Sequence, residues 1–220
     1  IQNVLFIVIC LVAGLIGGRY LQNPKQIVSL DDIPAYSDEP YVEINDNKPY
    51  FTDIDWSQQT YEYYSDLDEL GRAGYCEAYI DENMFPTEKR GSIGMVKPSG
   101  WHTIRYDDLI RDRYLYNRCH LIAYELTGQN ANRKNLITGT RYMNVTGMLP
   151  WENKVHDYIR DTGNRVLYRV TPVYDGDDLV AKGVLMEAES EDQQLEFCVY
   201  CYNVQPGIAI NYADGSSHAE

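Results

Sequence analysis

The sequence predicts an α+β fold: one domain with an antiparallel sheet and one main helix, preceded by an N-terminal hydrophobic segment. Three observations carry that expectation. Strand-like runs at 166–174, 179–189 and 195–204 follow one another closely, with turns at Asp175-Gly176-Asp177-Asp178 and Glu191-Asp192 between them. Just before them, Met148, Trp151, Val155, Tyr158 and Ile159 recur at helical intervals and form an apolar stripe. At the other end, residues 4–16 are almost wholly apolar, and no charge occurs until Arg19. A chain of 220 residues holds one domain with a real core plus an appendage, and 20 tyrosines favour strands with half-buried faces.

Taken in order, the apolar run is short for a spanning helix, although residues before it could complete one. It also suits the core of a signal peptide. No small-x-small cleavage site precedes Arg19, so an uncleaved anchor is the favoured expectation. Either reading puts the rest of the chain outside the cytoplasm, at the cell membrane facing outward or secreted. The expected organisation is a transmembrane anchor or signal peptide at 1–20, a linker at 21–40, a globular domain at 41–210 and a flexible tail at 211–220. The linker expectation rests on polar, acidic and proline residues between Asn23 and Pro40.

Residues 41–44 and 49–51, separated by Asn45-Asp46-Asn47-Lys48, predict a small hairpin. The acidic tract 61–70 predicts a short helix or surface turn ending at Gly71. Residues 91–100 are glycine-rich and turn-forming, without the Gly-x-x-x-x-Gly-Lys-Ser/Thr pattern of a phosphate loop. Residues 113–116 predict a strand, and Leu136-Ile137 a second strand or a short buried segment. A helix is expected from about Gly139-Thr140. Proline inside a helix removes a hydrogen bond and clashes with the preceding turn, so Pro150 predicts a break near Thr146-Gly147 and a second helical piece that Gly163 stops. No internal repeat is present.

Net charge is −14, an unfavourable balance for a protein that meets a polyanion. The charge is unevenly spread. Residues 86–172 contain 14 Lys+Arg and 8 Asp+Glu, a net of +6, leaving −20 for the remainder. A basic segment inside an acidic chain is compatible with phosphate chemistry.

That segment contains Asn117-Arg118-Cys119-His120, then Asn135, Asn144 and Glu152 at steps of nine and eight residues. The ordered set resembles the DNA/RNA non-specific endonucleases with a ββα-metal active site, the His-Me finger nucleases, over residues 71–173. In that family the motif reads Asp-Arg-Gly-His, so Arg118 and His120 match while Asn117 and Cys119 depart from it. The resemblance implies a ββα-metal core and a membrane-anchored or secreted bacterial nuclease of the DNA-entry branch. It further implies His120 as general base, a role that imidazole chemistry suits near neutral pH. Asn144 would hold one Mg²⁺, with Mn²⁺ an alternative, through its amide oxygen. Asn135 and Glu152 would support the site by orienting water. Arg118 offers a planar fork for phosphate oxygens, and Arg72 and Arg141 are further candidates for binding substrate. Implied partners are DNA or RNA and a membrane, and no protein partner is evident. The rival readings are a catalytically inactive nucleic-acid-binding receptor of the same fold and a surface adhesion module.

Cys76, Cys119, Cys198 and Cys201 admit disulfides in an extracellular domain, or free thiols. A sharper alternative is a zinc site from Cys198-x-x-Cys201 with Cys119 and His120.

Overall fold

A computed structural model gives the structure of the protein and describes residues 28–220. The hydrophobic segment at 1–20 and the start of the expected linker lie outside the described residues. Among the described residues no helix is long and apolar enough to cross a membrane.

The three strand-like runs form the centre of a six-stranded antiparallel sheet. They become β6 (Val166–Val173), β7 (Gly183–Ser190) and β8 (Glu196–Tyr202), joined in register such as Val170↔Met186 and Met186↔Val199. β1 (Tyr41–Glu43), β2 (Tyr61–Tyr64) and β3 (Cys76–Ile80) complete the order β1-β8-β7-β6-β3-β2. The middle strands are buried on both faces, which explains their nearly continuous apolar sequence. One face packs Val184, Met186, Ala188, Phe197 and Val199 against the helical side of the molecule. The other packs Leu185, Cys198, Tyr200 and Tyr202 against Val28 and Ile44. Each large apolar side chain buried this way contributes about 1.5–3 kcal/mol.

Three local expectations are corrected. Residues 41–51 do not form a hairpin. Asn45, Asp46 and Asn47 take left-handed φ angles of 54°, 53° and 60°, which Asn and Asp tolerate better than most residues, and β1 pairs with β8 instead. The returning chain is tied to the sheet by Tyr50 N–H donating to Glu187 Oε1 at 2.8 Å. The acidic tract is neither helix nor turn at its start: residues 61–64 are β2, paired with β3. There the tyrosines decide the outcome, with Tyr61 against Tyr79 and Tyr63 against Tyr75 at centroid separations of 6.4 and 5.1 Å. The expected tail carries β10 (Ser217–Ala219), paired with β9 (Ile208–Ile210). Tyr116 Oη donates to the Gly215 carbonyl at 3.0 Å and fastens this hairpin to the core. Gly215 has φ 85°, and a Cβ there would lie 2.0 Å from the Gly100 carbonyl, so only glycine fits that approach.

Set apart from the large sheet is a second hairpin, β4 (Tyr116–His120) with β5 (Leu136–Thr140), pairing His120↔Leu136 and Tyr116↔Thr140. A short helix α1 (Tyr124–Thr127) lies in the connection between them. Immediately after β5 the chain turns helical and runs to α2 (Leu149–Thr162), where Gly163 at φ 73° ends it. This strand, strand, helix order is the ββα core that the resemblance implies. Trp151, Val155 and Ile159 bury the predicted stripe, with Trp151 tilted against Phe197 at 4.8 Å.

Candidate active site

The break expected at Pro150 takes a different form. Residues 141–162 are helical throughout, and Met143–Met148 is a π-helical turn whose wider winding precedes the proline. Leu149 N–H donates to Asn144 O, a step of five rather than four residues. Widening relieves the contact that the proline ring would make with the preceding turn. It also sets the phase of the helix. Eight α-helical steps of about 100° would leave Asn144 and Glu152 about 80° apart around the axis. Absorbing one residue in the wide turn reduces this to about 20°. Both side chains accordingly line one cavity, of about 660 Å³, beneath the β4–β5 hairpin.

From β4, Asn117, Arg118 and His120 line the same cavity, while Cys119 belongs to the buried core. Its sulfur lies where a Cβ on Gly139 would come within 2.4 Å, and the Met143 methyl would be 2.6 Å from that Cβ. A cysteine where the family motif carries glycine is therefore accommodated by a glycine across the hairpin. It does not crowd the cavity.

His120 is 6% exposed. Nε2 is 2.8 Å from the Asn130 carbonyl, which cannot donate, so this nitrogen carries the proton. Nδ1 is then the basic nitrogen, and it lies 3.1 Å from an Arg90 guanidinium nitrogen. Burial holds the imidazole below its ordinary value of 6.5. Arg90 adds to that effect, while the Asn130 carbonyl opposes it. The ring is neutral at physiological pH. Glu152 responds to the same surroundings in the opposite sense. Burial first, and the Glu125 carboxylate second, push its carboxyl up to about 8, with Arg90 pulling the other way.

The remaining candidates divide between the cavity and the scaffold. Arg141 lines the cavity and pairs with Asp112 at its edge. Arg118 lines it too, but its guanidinium is held by the Val96 carbonyl, by the Gly94 carbonyl at 2.9 Å, and by stacking 3.9 Å over the Trp101 ring. Asn135 is wholly buried and not part of the lining. Its Oδ1 accepts from Ile122 N–H at 2.8 Å, and its Nδ2 donates to Ile122 O at 2.9 Å. This amide fixes the chain just after His120 rather than facing a ligand. Arg72 is outside the cavity. It donates to the Gly176 and Asp178 carbonyls at 2.8 and 2.9 Å, bonds Asp68 at 2.6 Å, and covers the Tyr174 ring.

Arg90, Glu125 and Tyr124 are cavity residues that sequence reasoning missed. Only the basic pair Lys89-Arg90 hinted at the first, and no spacing ties position 90 to position 120.

The four described cysteines are free and buried. Cys198 and Cys201 project to opposite faces of β8, one into each core layer, so they cannot share a zinc ion. Among the described residues no group of three or more His, Cys, Asp or Glu side chains could hold a metal. What the cavity offers a cation is the amide oxygen of Asn144 beside the carboxyl of Glu152, a set of hard oxygen donors few enough to leave most of an ion's waters in place.

The model of the DNA/RNA non-specific endonuclease family matches residues 52–192. The chain belongs to that family. A deoxyribonuclease of Streptococcus dysgalactiae subsp. equisimilis is 37% identical over 107 residues, which are 46% of this chain and 32% of that relative. Among solved structures, NucA from Streptococcus agalactiae with a magnesium ion bound superposes with a TM-score of 0.73 at 26% identity, covering 81% of this chain and 87% of NucA. The Sda1 nuclease with a bound zinc ion gives 0.69 at 27% identity, covering 83% and 97%.

Proposed function

We propose that this chain is a divalent-cation-dependent endonuclease that hydrolyses phosphodiester bonds of DNA, and of RNA, with little sequence preference. The observation that carries this reading is His120. Its tautomer is fixed by the Asn130 carbonyl, its basic Nδ1 meets Arg90, and His120, Arg90, Asn144 and Glu152 line one cavity. The magnesium and zinc named for NucA and Sda1 support a divalent cation here, with Mg²⁺ the metal proposed and Mn²⁺ a substitute.

In this reading His120 takes a proton from the attacking water at Nδ1, and the imidazolium so formed keeps its Nε2–H bonded to the Asn130 carbonyl. Burial keeps the ring neutral so that the nitrogen is free of a proton when water arrives. Asn144 would hold the cation through its amide oxygen, and Glu152 would orient water beside it. The cation supplies charge stabilisation at the phosphorus and the leaving oxygen. Arg90 and Arg141 carry positive charge at the cavity for phosphate oxygens. The lack of any base-reading motif leaves phosphate contacts to dominate binding. Asn135 keeps His120 in place through Ile122, and Arg72 belongs to the scaffold. For the hydrophobic segment at 1–20 we propose attachment to, or export across, a membrane, so that the domain works outside the cytoplasm.

The direct test incubates the protein with plasmid DNA and with RNA, in Mg²⁺ and in EDTA. Cleavage of unrelated sequences at similar rates in Mg²⁺, abolished by EDTA, is the expected result. Cleavage unaffected by EDTA, or confined to one sequence, contradicts it.

A further inference from the structure

Residues 88–97 run beside the cavity, with Arg90 and Ile93 in its lining, and form neither helix nor strand. Their attachments are polar and few. Tyr124 Oη donates to the Glu88 carbonyl at 2.8 Å, Arg118 grips the carbonyls of Gly94 and Val96, and Arg90 reaches His120. Most of the segment is exposed, Arg90 included, and Met95 is 70% exposed. Little apolar burial therefore holds this strap down.

The strap ends at the one atom the chemistry needs. His120 has two ring nitrogens. Nε2 donates to the Asn130 carbonyl, and Nδ1 accepts from Arg90 at 3.1 Å. With both nitrogens engaged, the ring has no lone pair to offer a water molecule. The covered arrangement also leaves a polar group unsatisfied, because Asn130 Oδ1 is buried without a hydrogen-bond partner among the described residues. Close by, the strap backbone passes so near that a Cβ on Gly91 would lie 2.8 Å from Asn130 Nδ2.

We propose that the strap is a substrate-released latch on the general base. In the free protein Arg90 covers His120 Nδ1, and an incoming phosphodiester draws the guanidinium onto its own oxygens and uncovers the nitrogen. The direction follows from the partners. A guanidinium bound to phosphate gains a two-pronged contact with an anionic acceptor, whereas on the ring it makes one hydrogen bond to a neutral acceptor. Arg118 keeps the strap tethered during the exchange, because its carbonyl contacts at Gly94 and Val96 do not involve Arg90. Proton abstraction is thus coupled to the presence of a phosphate. This rests on the reading of His120 as base, but the latch can be tested without any turnover.

The experiment uses protein with ¹⁵N-labelled histidine in EDTA, with a short DNA duplex added as the probe. The His120 Nδ1 resonance reports whether its lone pair is bonded. Arg90→Ala should shift that resonance towards a bare imidazole nitrogen, and duplex added to the parent should move it the same way. Carbethoxylation of His120, followed by mass spectrometry of its peptide, should be about tenfold faster in Arg90→Ala, the effect of losing one charged hydrogen bond. Arg90→Met, with a long side chain that has no hydrogen to donate, repeats the comparison should alanine disturb the fold. The proposal is overturned if either variant leaves the Nδ1 resonance where it stands in the parent. It is equally overturned if the duplex binds the parent, as followed by anisotropy, without moving that resonance. Failure of the base assignment would look different: His120→Ala would keep cleaving, whatever the resonance does.

Discussion

Replacing Glu152 by glutamine should stabilise the metal-free protein in alkaline solution and leave it unchanged in acid. The folded protein holds the Glu152 proton up to about 8, whereas the unfolded chain releases it near the ordinary 4.5. Between those values the folded state binds more protons, so this carboxyl's contribution is fully present below 4.5 and is lost as pH rises through 8. At about 1.4 kcal/mol per pH unit, the whole interval is worth about 5 kcal/mol as an upper bound. Glu152 borders a cavity open to water, and screening should reduce the measured effect to roughly 2 kcal/mol. Glutamine has nearly the same shape and no proton to lose. In EDTA, urea unfolding at pH 5 should place parent and variant within about 0.5 kcal/mol of each other. At pH 9 the variant should lead by roughly 2 kcal/mol, or about 4–8 °C in Tm. Added Mg²⁺ should narrow that lead, because an ion bound only to the folded parent stabilises it by mass action. An advantage of equal size at both pH values would refute the argument, since packing rather than ionisation would then explain it.

Two other substitutions test the scaffold. Asn135→Ala should remove both contacts to Ile122 and leave buried backbone groups unpaired, costing about 2–3 kcal/mol in urea unfolding; an unchanged midpoint would mean that the amide serves the chemistry instead. Gly139→Ala should cost about 1–3 kcal/mol because its methyl meets Cys119 Sγ, and adding Cys119→Gly should recover most of that, so a strictly additive double mutant would show that the two positions are not coupled.

How much of this was legible depended on whether the determining contacts were local. The three long strands and the helical stripe could be read because period and turn chemistry act over a few residues. Residues 41–51 misled because the partner of Tyr41–Glu43 is β8, some 160 positions away, and no local pattern encodes that choice. Pro150 correctly announced a disturbance in the helix. Only the structure reveals it as a wide turn that brings Asn144 and Glu152 onto one cavity wall. The spacing of His120, Asn144 and Glu152 pointed to residues the fold does gather, whereas Asn135 satisfied the spacing and turned out to hold the backbone behind His120. Arg90 left no trace in the spacing, because its tie to His120 is made by a loop of irregular backbone.

The central claim, that His120 is the base of a metal-assisted phosphodiester hydrolysis, is tested most directly by the cleavage rate of His120→Ala on plasmid DNA in Mg²⁺. The variant should fold as the parent does and still bind Mg²⁺ and DNA, because neither the Asn144 amide nor the basic side chains around the cavity are altered. Its rate should fall about 10²–10⁴-fold, the usual cost of losing a general base. A folded His120→Ala protein that cleaves at the parental rate would contradict the account.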